Sequence, residues 1–207
     1  MTKVLVYGGE KNADRTAALF EQEMPLVVEK KTLEGDYSRM STAQILDKME
    51  NDLFSRGERG ELIVLADPLE GLVAGRELKK RYPRQKIVWY GQGIIRIMAR
   101  MKTAYVLVSE RIRRTEWYQK MKAACQRTSF SEHDGGGWKE MMKQKRIEKM
   151  ELMEKVRSAQ GAPIIVFHPE IPVGWVKEVV DWRNDVVDLE EMLLTRVKAE
   201  LGLKNWL

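Results

Sequence analysis

Cysteine is all but missing from this chain of 207 residues: Cys125 is the only one. No internal disulfide can form, which fits a reducing cytoplasm, the expected location. Cys125 falls late in an amphipathic segment, Trp117 to Cys125. A catalytic thiol and a buried structural cysteine are the two readings there, the second being the commoner. Histidine is nearly as scarce. His133 and His168 are the only two, and with Cys125 they make no metal-ligand spacing; both read as exposed loop residues. No metal and no cofactor is expected, and a Ser-His-Asp triad has no nucleophile motif to build on. Also lacking is any apolar run near the roughly 20 residues of a membrane helix, so no membrane partner is expected. The N-terminal run Lys3-Val-Leu-Val-Tyr is strand-like and lacks the apolar core and cleavage site of a signal peptide. Gly8-Gly9-Glu10-Lys11-Asn12 and Gly91-Gln92-Gly93 invite a phosphate-loop reading. Neither completes G-x-G-x-x-G nor ends in Gly-Lys-Ser/Thr, and tight turns are the plainer interpretation.

What is present is a soluble globular composition, 43% hydrophobic and 32% charged, with a lopsided charge distribution. Residues 1–75 carry 9 Lys/Arg against 14 Asp/Glu, residues 76–127 carry 15 against 3, and residues 128–207 carry 12 against 14. A local basic excess of that size is a field with consequences for binding.

Short apolar runs rich in Val, Ile and Leu alternate with helical patterns over the first 127 residues. Lys3–Tyr7, Leu26–Lys30, Leu62–Ala66, Lys86–Tyr90 and Ala104–Val108 read as strands buried on both faces. Between them Ala17, Phe20 and Met24 share one helical stripe; Ser41 with Gln44 forms a capping-box signature ahead of Ile45, Met49 and Leu53. Leu72–Tyr82, Ile94–Met101 and Thr115–Cys125 complete the set. Such alternation predicts a doubly wound α/β domain with a parallel sheet over residues 1–127. Residues 128–137, ending in three glycines, read as a Gly-rich linker. Residues 138–207 read as a mostly helical extension with one short strand, Pro163–Phe167. In it Met141, Met142, Met150, Leu152 and Met153 offer an adaptable apolar surface for core packing or self-association, and Gly202 suits a helix C-cap. No internal repeat is visible.

The segment Leu62-Ile-Val-Leu-Ala-Asp67-Pro68-Leu69-Glu70-Gly71, with Gly75-Arg-Glu-Leu-Lys-Lys-Arg-Tyr-Pro83 and Lys86-Ile-Val-Trp-Tyr-Gly91 after it, resembles the receiver domain of bacterial response regulators. The resemblance covers residues 1–127 and implies a flavodoxin-like, five-stranded parallel sheet of order 2-1-3-4-5. It places Asp67 where receivers carry their phospho-acceptor, although capping the following helix is the other role for a carboxylate before Pro68. The rest of the receiver machinery is absent: Gly8-Gly9 stands in place of metal-holding acids, Gly91 in place of the switch hydroxyl, and Ser109-Glu110 in place of the lysine. Glu10 and Asp14 lie nearby as solvated or helix-dipole residues. The expectation is therefore a non-enzymatic pseudo-receiver, with no catalytic residues, that regulates or scaffolds.

The partner surface implied is basic: Arg96, Arg100, Lys102, Arg111, Arg113, Arg114, Lys120 and Lys122, with Arg127. An acidic protein partner or self-association is expected. The alternatives are a nucleic-acid-binding regulator using the same face, with Trp117 and Tyr118 available to stack on bases, and a phospho-accepting regulator acting through Asp67.

Overall fold

The computed structural model describes residues 3–32, 40–54, 61–133, 159, 161–168, 171, 173–180 and 185–203. The chain divides into two compact units, Met1–Gln92 with Glu190–Leu207, and Gly93–Leu189.

In the first unit the parallel strands β1 (Lys3–Gly8), β2 (Val27–Thr32), β3 (Leu62–Leu65) and β4 (Lys86–Trp89) form a sheet of order β2-β1-β3-β4. Helices α1 (Glu10–Glu23), α2 (Thr42–Phe54) and α3 (Pro68–Arg81) link successive strands. The central strands β1 and β3 are buried along almost their whole length, whereas β2 alternates between exposed and half-buried positions and blunts its edge with Glu29, Lys30 and Lys31. The expected capping box at the start of α2 is made: the Ser41 amide donates to Gln44 Oε1 at 2.8 Å, and the Gln44 amide to Ser41 Oγ at 3.3 Å. Helix α3 ends in Lys79, Lys80 and Arg81, cations that favour the negative end of the helix dipole.

In the second unit β5 (Thr103–Val108), β6 (Ser129–His133), β7 (Ile164–Phe167) and β8 (Val186–Val187) form another parallel sheet, of order β6-β5-β7-β8. It is accompanied by α4 (Ile94–Met98), α5 (Glu110–Arg113), α6 (Glu116–Ala124) and α7 (Val173–Val179). Tyr105, Leu107, Ile164 and Val166 from the sheet pack with Ile171, Val173 and Val176.

The last helix, α8 (Leu189–Glu200), returns to the first unit: Leu193 and Val197 pack with Val4, Val6, Phe20 and Val88. Lys198 pairs with Glu23 at 3.1 Å, and Lys86 Nζ reaches the Glu200 carbonyl at 2.9 Å. Its end is closed by the Leu203 amide on the Lys198 carbonyl, with Gly202 left-handed at φ 70°. No helix among the described residues is long and apolar enough to cross a membrane.

The single five-stranded sheet is therefore corrected. A parallel α/β architecture is present, but β5 pairs with β6 and β7 and leaves the first sheet at four strands. Strand pairing is a non-local choice, and β5 finds partners on both sides. One of them, Ser129–His133, occupies the segment expected to be a linker; its polar letters Ser-Phe-Ser-Glu-His suit an edge strand that is largely open to solvent. The Met-rich helical run expected over 138–159 lies outside the described residues except for Ala159, which packs in the second core.

Helix α3 sits close on β4. A Cβ added at Gly75 would fall 2.4 Å from Cγ and 2.8 Å from Cβ of Trp89, whereas one at Gly174, in α7, would meet nothing within 4 Å. Gly75→Ala is expected to destabilise the first unit by about 1–3 kcal/mol through overpacking. Gly174→Ala is expected to be neutral or to stabilise by up to about 1 kcal/mol, through helix propensity alone. Denaturant unfolding followed by amide exchange in β3 and β7 separates the two.

Candidate functional site

In an open α/β sheet the ligand crevice lies at the carboxyl ends of the strands, where the strand order reverses. Both sheets have such a point, between β1 and β3 in the first unit and between β5 and β7 in the second.

In the first unit the last registered pair is Tyr7 with Leu65, and the Ala66 amide still bonds to the Tyr7 carbonyl at 2.9 Å. Asp67 follows at once. Its residue is 8% exposed, its Oδ1 accepts the Leu69 amide at 3.0 Å as the N-cap of α3, and its Oδ2 accepts Asn12 Nδ2 at 2.7 Å. Pro68 at the first helical position has no amide of its own to satisfy. Asn12, 5% exposed, in turn accepts Arg15 Nη2 on its Oδ1 at 3.1 Å, and Arg15 Nε lies 2.9 Å from Glu190 Oε1. A polar chain thus runs from α8 through α1 to the tip of β3.

The loop after β1 must come very near Asp67: a Cβ on Gly9 would stand 3.2 Å from Asp67 Oδ2, and one on Gly8 3.2 Å from its amide nitrogen. This is what the glycine pair does here. Two further polar groups follow the ends of β3 and β4 in the sequence. Glu70, 3% exposed, sits in the first turn of α3, where a carboxylate complements the helix dipole. Gln92 follows the left-handed Gly91 (φ 73°), and its buried Oε1 has no hydrogen-bond partner among the described residues.

In the second unit the last registered pair is Val108 with Phe167, so Ser109 and His168 are the next residues on neighbouring strands. His168 is 8% exposed. Ser109 caps the short α5 through its Oγ, and Nη2 of Arg111, within that helix, is buried with no hydrogen-bond partner among the described residues. The two switch points match in sequence as well as place: a buried apolar strand runs into Asp67-Pro68 in one and His168-Pro169 in the other.

Of the residues picked out by sequence, Asp67 lies at such a corner. Arg96 falls in α4, Arg100 and Lys102 just before β5, Arg111 and Arg113 in α5, Arg114 at its end, and Lys120 and Lys122 in α6; all belong to the second unit. Arg114, Lys120 and Lys122 are paired with Glu110, Glu116 and Glu132. Trp117 and Tyr118 are not a base-stacking platform: they pack edge-on to Phe167, at 5.6 and 6.3 Å between ring centres. Burial, with the Glu132 carboxylate beside it, pushes the Tyr118 phenol well above its ordinary pKa. Of the two histidines read as exposed loop residues, His133 is the end of β6, stacked on Tyr105 at 4.2 Å and bonded to Ser131 Oγ at 3.0 Å, and His168 is buried. Sequence reasoning also passed over Asn12, whose letter in a loop-to-helix junction carries no signal until its partner is known. Among the described residues no group of three or more His, Cys, Asp and Glu is arranged to hold a metal.

Comparison with family models gives no match, and no curated protein is significantly similar in sequence. Solved structures do match. A glutamate racemase from Francisella tularensis, in complex with D-glutamate, is 11% identical at a TM-score of 0.68, over 100% of this chain and 84% of that one. A glutamate racemase from Bacillus anthracis is 10% identical at 0.68, over 99% and 82%. An aspartate racemase homologue from Pyrococcus horikoshii is 12% identical at 0.54, over 97% of this chain and 100% of that one. The likeness is one of fold.

The neighbours are racemases and not receiver domains, and the receiver resemblance is withdrawn. With it go the expectations it supported: a non-enzymatic signalling pseudo-receiver, the nucleic-acid-binding regulator and the phospho-accepting response regulator. The physical cause of the error is plain. An Asp-Pro at the tip of a central parallel strand belongs to the switch point of doubly wound sheets generally, not to one family that uses it.

Two tests follow from this geometry. Asn12→Ala removes the donor from a buried carboxylate oxygen, and is expected to cost about 1.5–3 kcal/mol in denaturant unfolding. Cys125 is buried, its thiol 3.8 Å from the Ile95 carbonyl, and burial pushes its pKa up. The folded chain therefore holds this proton more tightly than the unfolded one. The stabilisation is complete below the free-thiol pKa, about 8.5, and is lost as pH rises beyond it. At pH 8 a thiol reagent is expected to label the native protein about tenfold or more slowly than the unfolded chain.

Proposed function

We propose that this chain is an enzyme that moves a proton on the carbon next to a carboxylate, as an amino-acid racemase does. The observation that carries the reading is the repeated switch point, which sets an ionisable side chain, Asp67 in one unit and His168 in the other, at the tip of a central strand. The fold it shares with glutamate and aspartate racemases supports it, over essentially the whole chain.

Inverting a stereocentre by proton transfer needs no redox group. A base takes the α-proton, the electron pair is held as an enolate-like anion beside the carboxylate, and an acid returns a proton to the other face. The single thiol is buried at the end of α6, so it is not at either strand tip. Each strand tip carries a side chain of a type that serves as a general acid or base, a carboxylate in the first unit and an imidazole in the second. In the first unit Asn12 and the Leu69 amide fix the Asp67 carboxylate, and the buried Gln92 Oε1 is available to accept from a donor on the substrate. Each unit is assigned separately, Asp67 as a proton-transfer group in one and His168 in the other. The lone cysteine suits a cytoplasmic setting.

The test is exchange of the α-proton. D- and L-glutamate and D- and L-aspartate are incubated with the full chain in D2O, and deuterium at Cα is followed by NMR. The expected result is enzyme-dependent exchange with at least one acid. Asp67→Asn or His168→Asn, whichever unit holds the reacting carbon, is expected to lower its rate by about 10²- to 10⁴-fold, the usual weight of one general acid or base. Absence of exchange with all four, or full rates in both variants, would remove the reading.

A further inference from the structure

The guanidinium of Arg111 is the most unusual charge in the second unit. The stretch 93–133 contains three acidic residues, Glu110, Glu116 and Glu132, and each is already engaged, with Arg114, Lys120 and Lys122. Of the other carboxylates in this unit, Asp188 is held by Lys177 at 2.6 Å. Arg111 is half-buried, and its buried Nη2 has no hydrogen-bond partner among the described residues. A buried charged donor without a partner is costly, and such groups persist where something other than the chain satisfies them.

Its position says what that is. Arg111 lies two residues beyond Ser109, which stands next to His168 at the carboxyl edge of the sheet. The reversal of strand order at this edge makes it the ligand-binding end. A guanidinium presents a planar fork of donors that matches a carboxylate, and it keeps its charge at any working pH.

We infer that Arg111 is the carboxylate anchor of a binding site at the β5/β7 corner, for a small organic acid seated beside His168. The inference rests on the proposed proton-transfer reading for the identity of the ligand, and it deepens that reading by naming a residue that selects anions. Lysine at this place would keep the charge and lose the fork, so it would recover only part of the binding.

The two histidines make the test direct. The full chain is labelled in its imidazoles, giving one ring signal from His168 and one from His133, which serves as an internal control in β6. The probes are glutarate, a plain dicarboxylate with no α-amino group, and glutaramide, its uncharged counterpart. Glutarate is expected to shift the His168 signal saturably and leave that of His133 in place, and glutaramide to shift neither. Arg111→Gln is expected to raise the apparent Kd roughly 10- to 100-fold, the loss of one charge-assisted hydrogen bond. Arg111→Lys should fall between, with an unmoved His133 signal showing that the sheet is intact in both. The inference is overturned if glutarate leaves His168 unmoved, if glutaramide does as well, or if Arg111→Gln binds as tightly as the parent. An Arg111-dependent glutarate response in a chain that exchanges no α-proton would keep this inference and sink the racemase reading. Exchange with no such dependence would do the reverse.

Discussion

The Asp67 carboxylate is the joint on which the first unit turns. One oxygen closes the start of α3 and the other takes the amide of Asn12, so a single side chain ties the end of β3 to two helices. Its charge-assisted bonds in a buried corner are each worth more than neutral ones. The glycine pair at the end of β1 fits this close approach: a Cβ on Gly9 would crowd Oδ2, and one on Gly8 the Asp67 amide nitrogen. Asn12 extends the joint outwards through Arg15 to Glu190 on the last helix. The chain's end is thereby coupled to the tip of a strand more than a hundred residues earlier, and a local substitution anywhere along this line reaches the same carboxylate.

The second unit repeats the arrangement with other letters. Both sheets have the same order and the same point of reversal, and in both a buried strand ends in an ionisable residue followed by proline. The sequence shows no repeat because very little in such a unit is specified residue by residue: buried parallel strands ask for Val, Ile and Leu in any order, and helices ask for a stripe. The corner is the exception. Asp67 is held by an Asn and a cap amide. His168 stands beside a serine that caps its own helix, with an arginine two places further on.

How legible this was depends on how local each determinant is. Strands β1, β3, β4, β5 and β7 announce themselves as apolar runs, and Ser41 with Gln44 and the Gly202 cap are read from a handful of adjacent letters. The edge strands β6 and β8 are polar or two residues long, and nothing local marks them. Which strands share a sheet is decided by pairing across the chain, so β5 was assigned to the wrong neighbours although its existence was correct. The same holds at the site. Asp67 stands out through its strand and its proline, whereas Asn12 and His168 acquire meaning only from what lies next to them. Arg111 was visible as one basic residue among many; what separates it is a buried Nη2 with no hydrogen-bond partner among the described residues, which no spacing reveals.

The pairing of Arg114, Lys120 and Lys122 also changes what the basic stretch is for. Nine cations against three carboxylates over residues 93–133 leave a net field even after the local ion pairs are formed. A field of this kind draws small anions as readily as it draws an acidic protein, and salt screens it over about 10 Å at 0.1 M. Exposed lysines and arginines such as Arg96, Arg100 and Lys102 contribute at that range. Arg111 acts differently. Its buried nitrogen is desolvated in advance and screened much less, so it contributes affinity and orientation where the surface charges contribute encounter rate. A small acid recruited by the field and held by one guanidinium uses both.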